Sequence, residues 1–196
     1  MKSIRIFVLL CLLAAVLLPL AAQSGANAAP VRVRMQTSVG TVVLELYPQK
    51  APLTVVNFLS YVKNGAYDGT IFHRVIRNFM IQGGGMNPDL SRRPTLAPVR
   101  NEANNGLSNL KGTIAMARTN DPHSATSQFF INTVDNNFLD FTSETTNGWG
   151  YTVFGKVVEG LDVVLQIAAV RTGSRSGYQD VPVQNVVIQK MEVITN

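Results

Sequence analysis

Cysteine and histidine are scarce in this chain. Among 196 residues there is one cysteine, Cys11, and there are two histidines, His73 and His123. Because Cys11 lies in an apolar N-terminal run that we expect to be removed, the remaining chain has no thiol for a disulfide, a nucleophile or a metal ligand. Two histidines without cysteine are also a poor basis for a zinc site. We therefore expect no metal and no cofactor, and a domain of roughly 170 residues stabilised by its hydrophobic core alone.

The chain also lacks a concentrated charge of one sign. It has 17 Lys and Arg against 12 Asp and Glu, a formal net charge of +5, and its basic residues are scattered, with Arg92-Arg93 as the one adjacent pair. Nucleic-acid-binding proteins usually cluster basic residues on one face. Nucleic-acid binding is therefore a weak alternative, and strongly salt-dependent binding would be needed to support it.

One long hydrophobic run is present, and it lies at the N-terminus. Two basic residues precede an apolar stretch over residues 6–22, and the segment 26–28 (Ala-Asn-Ala) fits the A-x-A pattern of a cleavage site. These features predict a signal peptide over residues 1–28 and a single domain over 29–196. An uncleaved membrane anchor is the alternative, because the apolar run is long for a signal peptide. After residue 29 no run is long enough to span a membrane.

Short segments of alternating apolar and polar residues follow, separated by segments rich in Gly, Asn, Pro and Ser. This alternation predicts eight strands. They cover residues 31–37, 41–47, 70–76, 79–82, 112–117, 128–131, 151–158 and 183–194. Helical spacing predicts two helices, over residues 51–65 and 159–170. Because most strand pairs have no helix between them, we expect a mainly β fold, a closed eight-stranded antiparallel β-barrel capped by two α-helices.

Arg74 and Gln82 are unexpected in the apolar stretch FHRVIRNFMIQGGGM, residues 72–86. A buried guanidinium without a partner would cost several kcal/mol, so Arg74 should be paired or should face an opening. Side chains alternate along a strand, which would place Phe72, Arg74 and Ile76 on one face. His73 then falls on the opposite face, where we expect a hydrogen-bonded core histidine.

The same alternation gives several other strands one mixed face. Met80 shares a face with Gln82, and Gln128 shares one with Phe130, while small residues including Ala117 line one side of the strand at 112–117. Joined on one wall of a barrel, such faces predict a shallow apolar pocket with arginine and amides at its rim. A pocket of this chemistry suits an apolar ring attached to a peptide backbone.

Four motifs resemble those of one known family. The stretches FHRVIRNFMIQGGGM, GTIAMARTNDPHSATSQFFI, NNFLD and YTVFGKVVEGLDVV are similar, in order and spacing, to those of the cyclophilin-type peptidyl-prolyl cis-trans isomerases. The resemblance covers nearly all of the chain after residue 28, and it is strongest to the periplasmic cyclophilins of Gram-negative bacteria. It implies an isomerase of X-Pro peptide bonds that assists the folding of exported proteins in the periplasm, or outside the cell if the source has no outer membrane.

The resemblance also implies roles for individual residues. Arg74 matches the catalytic arginine of the family, whose guanidinium would stabilise the twisted X-Pro bond without a covalent step. The proline pocket corresponds to Phe79, Met80, Phe130 and Leu139. The amides that hold the peptide and orient the arginine correspond to Gln82 and Gln128. The strand edge that pairs with the substrate backbone corresponds to Ala117, Arg118 and Thr119. Phe138 and Tyr151 stand at substrate-binding positions where eukaryotic members usually have tryptophan and histidine.

The departures from the family pattern bear on ligands and partners. An indole N–H donor is lost at Phe138, so we expect weak cyclosporin binding. Arg77-Asn78 replaces the common Pro-Gly, but asparagine tolerates the left-handed conformation that a turn there would need. The expected partners are proline-containing peptides and unfolded or partly folded exported proteins, with no nucleic acid, no membrane after cleavage, and a monomeric state. A binding or holdase module that uses the same groove without turnover is the main alternative to an enzyme.

Overall fold

The computed structural model describes residues 30–194, so the predicted signal peptide lies outside the described residues. The described chain contains two α-helices, α1 (Pro52–Lys63) and α2 (Leu161–Ala168). Its strands are β1 (Val31–Thr37), β2 (Thr41–Leu46), β3 (Arg74–Ile76), β4 (Met80–Gly83), β5 (Thr113–Met116), β6 (Phe129–Asn132), β7 (Val153–Glu159), β8 (Thr172–Arg175), β9 (Tyr178–Pro182) and β10 (Ile188–Ile194). Within this part of the chain, no helix is long and apolar enough to cross a membrane.

Eight of the strands form one curled antiparallel sheet. Its order is β10-β1-β2-β7-β5-β6-β4-β3, and β8 and β9 form a separate hairpin. The two edge strands, β3 and β10, meet at a seam, where residues before β3 bond to residues at or just before the start of β10. Phe72 N donates to Val186 O at 3.0 Å, and Ile188 N donates to Thr70 O at 2.8 Å. The predicted eight-stranded antiparallel architecture with two helices is confirmed, and a few hydrogen bonds at this seam replace a full strand ladder.

Helix α1 covers the main core. It buries Val55, Phe58 and Val62, and the Phe58 ring lies 5.7 Å from the Phe129 ring, in an edge-on arrangement typical of aromatic pairs. No side chain of its own caps its N-terminus. Instead the Glu102 carboxylate accepts hydrogen bonds from the backbone N–H groups of residues 53 and 54. A carboxylate at this end stabilises the helix, since it satisfies free N–H groups and complements the helix dipole.

The structure corrects one expectation and adds one element that the sequence did not predict. Phe72 is fully buried in the main core with Val75, while Arg74 is exposed on the other side of the strand. The prediction that Phe72 shares the face of Arg74 is therefore wrong, because β3 begins only at Arg74 and strict alternation does not extend back through an irregular segment. The hairpin of β8 and β9 was not predicted from sequence, because residues 172–182 show no clear alternation.

Candidate active site

Nine of the predicted site residues line one open cavity of about 110 Å³. They are Arg74, Phe79, Met80, Gln82, Ala117, Arg118, Phe130, Leu139 and Tyr151. Thr119 and Gln128 line a second cavity of about 170 Å³, which shares Gln82, Ala117 and Arg118 with the first. Phe138 lies at the rim, 75% exposed, with its ring stacked 5.8 Å from that of Phe79. The structure therefore brings together all twelve residues that the resemblance placed at a site.

Strand register explains why these side chains meet. In the antiparallel ladders Arg74 lies opposite Gln82, Gln82 lies opposite Phe130, and Phe130 lies opposite Ala115. Directly opposed residues on neighbouring strands project to the same face of a sheet. Four strands thus place an arginine, an amide, an aromatic ring and a methyl group in one row across the barrel wall.

The floor of the first cavity is apolar. Met80, Ala115, Phe130 and Val153 form a small buried cluster separate from the main core. The Tyr151 ring meets Phe130 edge-on, with ring centres 5.6 Å apart. Such a floor accepts a small apolar ring and excludes water from one side of it.

Arg118 closes one side of this cavity. Its guanidinium carbon lies 4.6 Å from the centre of the Tyr151 ring, and its Nε donates to Gly150 O at 2.9 Å. A cation over an aromatic face is attracted by the electron density of the ring. The Arg118 side chain thus holds the Tyr151 wall in place, while its own backbone N–H and C=O have no hydrogen-bond partner among residues 30–194.

The side-chain amides of Gln82 and Gln128 form a hydrogen-bonded amide chain next to Arg74. Gln82 Nε2 donates to Gln128 Oε1 at 2.9 Å, whereas Arg74 Nη1 lies 3.5 Å from Gln82 Oε1. Arg74 is exposed, and no salt bridge joins it to a carboxylate within the described part of the chain. Its guanidinium donors are therefore available to a bound molecule.

His73 lies beneath this amide chain. It is 5% exposed, and its Nδ1 has no hydrogen-bond partner among the described residues. Burial lowers the pKa of His73 from 6.5 to about 4, and the charges of Arg74 and Arg92 act in the same direction, although contacts with the Ile71 backbone and Gln128 oppose the shift. The expected core histidine is present, but as a neutral ring with one unpaired nitrogen.

Buried asparagines that sequence reasoning missed support the pocket from behind. Asn136 Nδ2 donates to Phe79 O at 2.9 Å and to Asn132 Oδ1 at 2.8 Å, and Asn109 Nδ2 donates to Leu139 O at 3.2 Å. They hold the backbone beneath two pocket residues. No local signal separates these asparagines from the many exposed ones in neighbouring loops, because their burial depends on contacts between distant segments.

No group of three or more His, Cys, Asp or Glu side chains in residues 30–194 is arranged to hold a metal ion. The two cavities are instead lined by apolar, amide, hydroxyl and guanidinium groups.

Comparison with known sequences places this chain in a family. The profile described as "Cyclophilin type peptidyl-prolyl cis-trans isomerase/CLD" matches residues 32–193. The chain belongs to the cyclophilin family. Cyclophilins of this type are peptidyl-prolyl cis-trans isomerases, and that is the enzymatic activity of this chain.

The similarity to curated cyclophilins is high over the whole domain. The chain is 63% identical over 162 residues to peptidyl-prolyl cis-trans isomerase cyp18 of Streptomyces antibioticus, covering 83% of this chain and 98% of the relative. It is 54% identical over 161 residues to peptidyl-prolyl cis-trans isomerase B of Escherichia coli K12, covering 82% and 98%. Among solved structures, a cyclophilin of Cryptosporidium parvum is similar, with a TM-score of 0.68 at 25% identity, over 85% of this chain and 99% of that one.

Proposed function

We propose that this cyclophilin accelerates the isomerisation of X-Pro bonds in exported proteins, and that it does so by non-covalent stabilisation of the twisted transition state by Arg74. One observation supports this role most directly. The exposed Arg74 guanidinium, which has no salt-bridge partner among residues 30–194, lies at the edge of a cavity whose apolar floor can accept a small ring.

The barrier to X-Pro rotation arises from amide resonance and is about 20 kcal/mol. Lowering the reaction time from tens of seconds to milliseconds requires roughly 6 to 7 kcal/mol. In the planar ground state the lone pair of the prolyl nitrogen is delocalised, whereas in the twisted state it accepts a hydrogen bond. A donor held beside that nitrogen therefore binds the transition state more strongly than the substrate.

The cavity and the strand edge supply the remaining positioning. The apolar floor of Met80 and Phe130 would hold the proline ring while the flanking chain turns. The free backbone groups of Arg118 would pair with a residue next to the proline, as in an added β-strand. With the ring and one flank fixed, rotation is confined to the X-Pro bond, so less entropy is lost in reaching the transition state.

The decisive experiment compares turnover of an Ala-Pro peptide by the wild type, Arg74→Ala and Arg74→Lys. We expect kcat/KM to fall about a hundredfold in Arg74→Ala, with unchanged circular dichroism, and to recover only in part in Arg74→Lys, because lysine lacks the planar set of donors. Arg171→Ala is the matched control, since Arg171 is exposed and lines neither cavity. Near-normal turnover in Arg74→Ala would contradict this role, and peptide binding without any turnover in the wild type would favour the binding-module alternative.

Cyclosporin binding is proposed to be weak. Phe138 has no N–H donor, and its ring stacks on Phe79 at the rim of the pocket, 75% exposed. We expect Phe138→Trp to bind cyclosporin more tightly than the wild type in a fluorescence titration, with turnover of a short peptide little changed. Equal affinities would show that the missing indole is not what weakens binding.

Export to the periplasm is proposed from the sequence of residues 1–28. Mass spectrometry of the protein recovered from the periplasmic fraction of its source should give an N-terminus at Ala29. Retention of Met1 in the membrane fraction would support the anchor alternative instead.

A further inference from the structure

The second cavity, which adjoins the first, has a largely polar wall. Its wall consists of Gln82, Arg92, Ala117, Arg118, Thr119, Ser124, Thr126 and Gln128. Sequence reasoning did not single out Arg92, which enters the site only through the fold. Two arginines and no Asp or Glu are found in this wall, and a third arginine, Arg74, lines the adjoining cavity.

No salt bridge among residues 30–194 pairs these three arginines with a carboxylate. The salt bridges among residues 30–194 all involve Glu45 or Glu192, which line neither cavity. The nearest acidic side chain along the cavity loop is Asp121, whose Oδ1 accepts the backbone N–H of His123 at 2.9 Å. A cleft lined by charge of one sign focuses its field and attracts ligands of the opposite sign.

The free donors of the wall belong mainly to Arg92. Its side chain is exposed and makes no hydrogen bond within the described chain, whereas Arg118 Nη1 donates to Thr119 O at 2.9 Å and the Ser124 hydroxyl donates to Asp121 O at 2.7 Å. A carboxylate only accepts hydrogen bonds, and it is the side-chain group that matches a set of free donors. Arg92 also lies near enough to the buried His73 for its charge to contribute, as the smallest of several causes, to the lowered pKa of that ring.

The free strand edge at Arg118 restricts how a substrate can lie across the two cavities. Ala117 and Arg118 line both cavities, so the edge lies between them. Proline has no N–H, so a substrate residue that pairs through both backbone groups with Arg118 must be a neighbour of the proline. Both neighbours of the proline have these groups, and a substrate that pairs through the residue before the proline has its preceding chain directed into the second cavity.

We propose that the second cavity selects an acidic side chain two or three residues before the proline, with Arg92 as the main specificity-determining residue and Arg118 as the second cation. This inference rests on the isomerase function and adds the substrate class to it. Arg92 touches no reacting atom in this scheme, and it acts on the affinity for substrate.

The test uses three series of peptides that share an Ala-Pro core and carry Glu, Gln or Lys at one position. The position is two residues before, three residues before, or two residues after the proline. Isomerisation is followed by exchange NMR at low salt and at about 0.5 M salt, where exposed charges are strongly screened. We expect kcat/KM to rank Glu above Gln above Lys in a series before the proline, with about a tenfold range at low salt that shrinks at high salt.

Two variants with the same change in net charge locate the effect. Arg92→Glu should reverse the ranking of the peptides, whereas Arg171→Glu, at an exposed position outside both cavities, should leave the ranking as in the wild type. Both substitutions are on the surface, and circular dichroism checks that each variant is folded.

Each other outcome overturns a defined part of the inference. Equal turnover of Glu, Gln and Lys peptides would overturn acid selection while leaving the isomerase intact, and no turnover of any peptide would contradict the isomerase itself. A ranking that appears only after the proline would overturn the assignment of the cavity. An equal effect of Arg171→Glu would show a long-range field without a defined subsite.

Discussion

Gln82 lies between Arg74 and Gln128 and is bonded unequally to the two. Its Nε2 donates to Gln128 Oε1 at 2.9 Å, while its Oε1 lies 3.5 Å from Arg74 Nη1. The first contact is a normal hydrogen bond and the second is weak. Gln82 is thus held by Gln128 and makes a weak contact with the Arg74 guanidinium. This contact favours one orientation of the guanidinium and leaves its donors available.

The first prediction concerns the contact between Gln82 and Arg74. We expect Gln82→Ala to lower kcat/KM about tenfold, because the Arg74 guanidinium then adopts orientations that miss the prolyl nitrogen. Turnover of an Ala-Pro peptide measures the loss, and circular dichroism checks the fold. Gln166→Ala, at an exposed position on α2, is the matched control and should be fully active. Wild-type turnover in Gln82→Ala would show that Arg74 is oriented without the amide.

The second prediction concerns the space that Gly85 leaves for Gln128. A Cβ at Gly85 would lie 2.4 Å from Gln128 Cγ, but the backbone there is not left-handed. We therefore expect Gly85→Ala to displace the Gln128 side chain and lower kcat/KM several-fold, with a small change in melting temperature. Gly173→Ala is the control, since nothing lies within 4 Å of its Cβ. A large loss of stability with normal turnover of the remaining folded protein would refute this interpretation.

The third prediction concerns pH and His73, whose pKa is lowered from 6.5 to about 4. Between these values the unfolded state binds more protons than the folded state, so stability decreases as pH falls through this window. We expect a loss of up to about 3 kcal/mol from this group, complete near pH 4 and absent above pH 6.5. Urea unfolding at pH 7, 5.5 and 4 measures it.

The matched variant for this measurement is His73→Gln, which keeps a polar side chain but does not titrate. Carboxylates contribute to the pH dependence of both proteins, so the difference between the two slopes isolates the histidine. Identical slopes in the wild type and in His73→Gln would be incompatible with a buried neutral ring.

The fourth prediction concerns the turn between β3 and β4. Asn78 has a left-handed backbone with φ of 57° and is exposed. We expect Asn78→Gly to leave stability unchanged or slightly higher, and Asn78→Val to lower the free energy of unfolding by roughly 1–2 kcal/mol, because a β-branched residue is strained there. Chemical denaturation compares the two variants. Equal stability of the valine and glycine variants would argue that the turn relaxes.

Arg77, the residue before Asn78 in this turn, contacts the end of α2. Arg77 Nη2 donates to Ala169 O at 3.3 Å, beyond the C-terminal end of α2. The positive charge of Arg77 therefore lies at the C-terminal end of α2, where a cation is favourable. Arg77 does not line the first cavity. Nothing in the sequence around Arg77 indicated this contact with α2.

Much of this protein was predictable because its signals are local. Alternation placed Met80 with Gln82 and separated Phe130 from the core residue Phe129, since successive side chains of a regular strand point to opposite faces. Proline in the first turn located the start of α1, since its fixed φ suits that position. Motif order alone was enough to indicate the family.

Other features were settled only when distant segments came together. Phe72 turned into the core because the chain before β3 joins the seam with residue 186, and no rule of strand alternation applies there. Glu102 caps a helix whose first residues lie 48 and 49 positions away in sequence. The stacking of Arg118 on Tyr151 and the place of Arg92 in the second cavity likewise depend on the fold. Local sequence thus determined the eight strands of the main sheet, the two helices and the faces of the regular strands. Tertiary contacts decided the β8–β9 hairpin and how free charge and free donors are arranged around the first cavity, because charge acts through space between residues that are far apart in sequence.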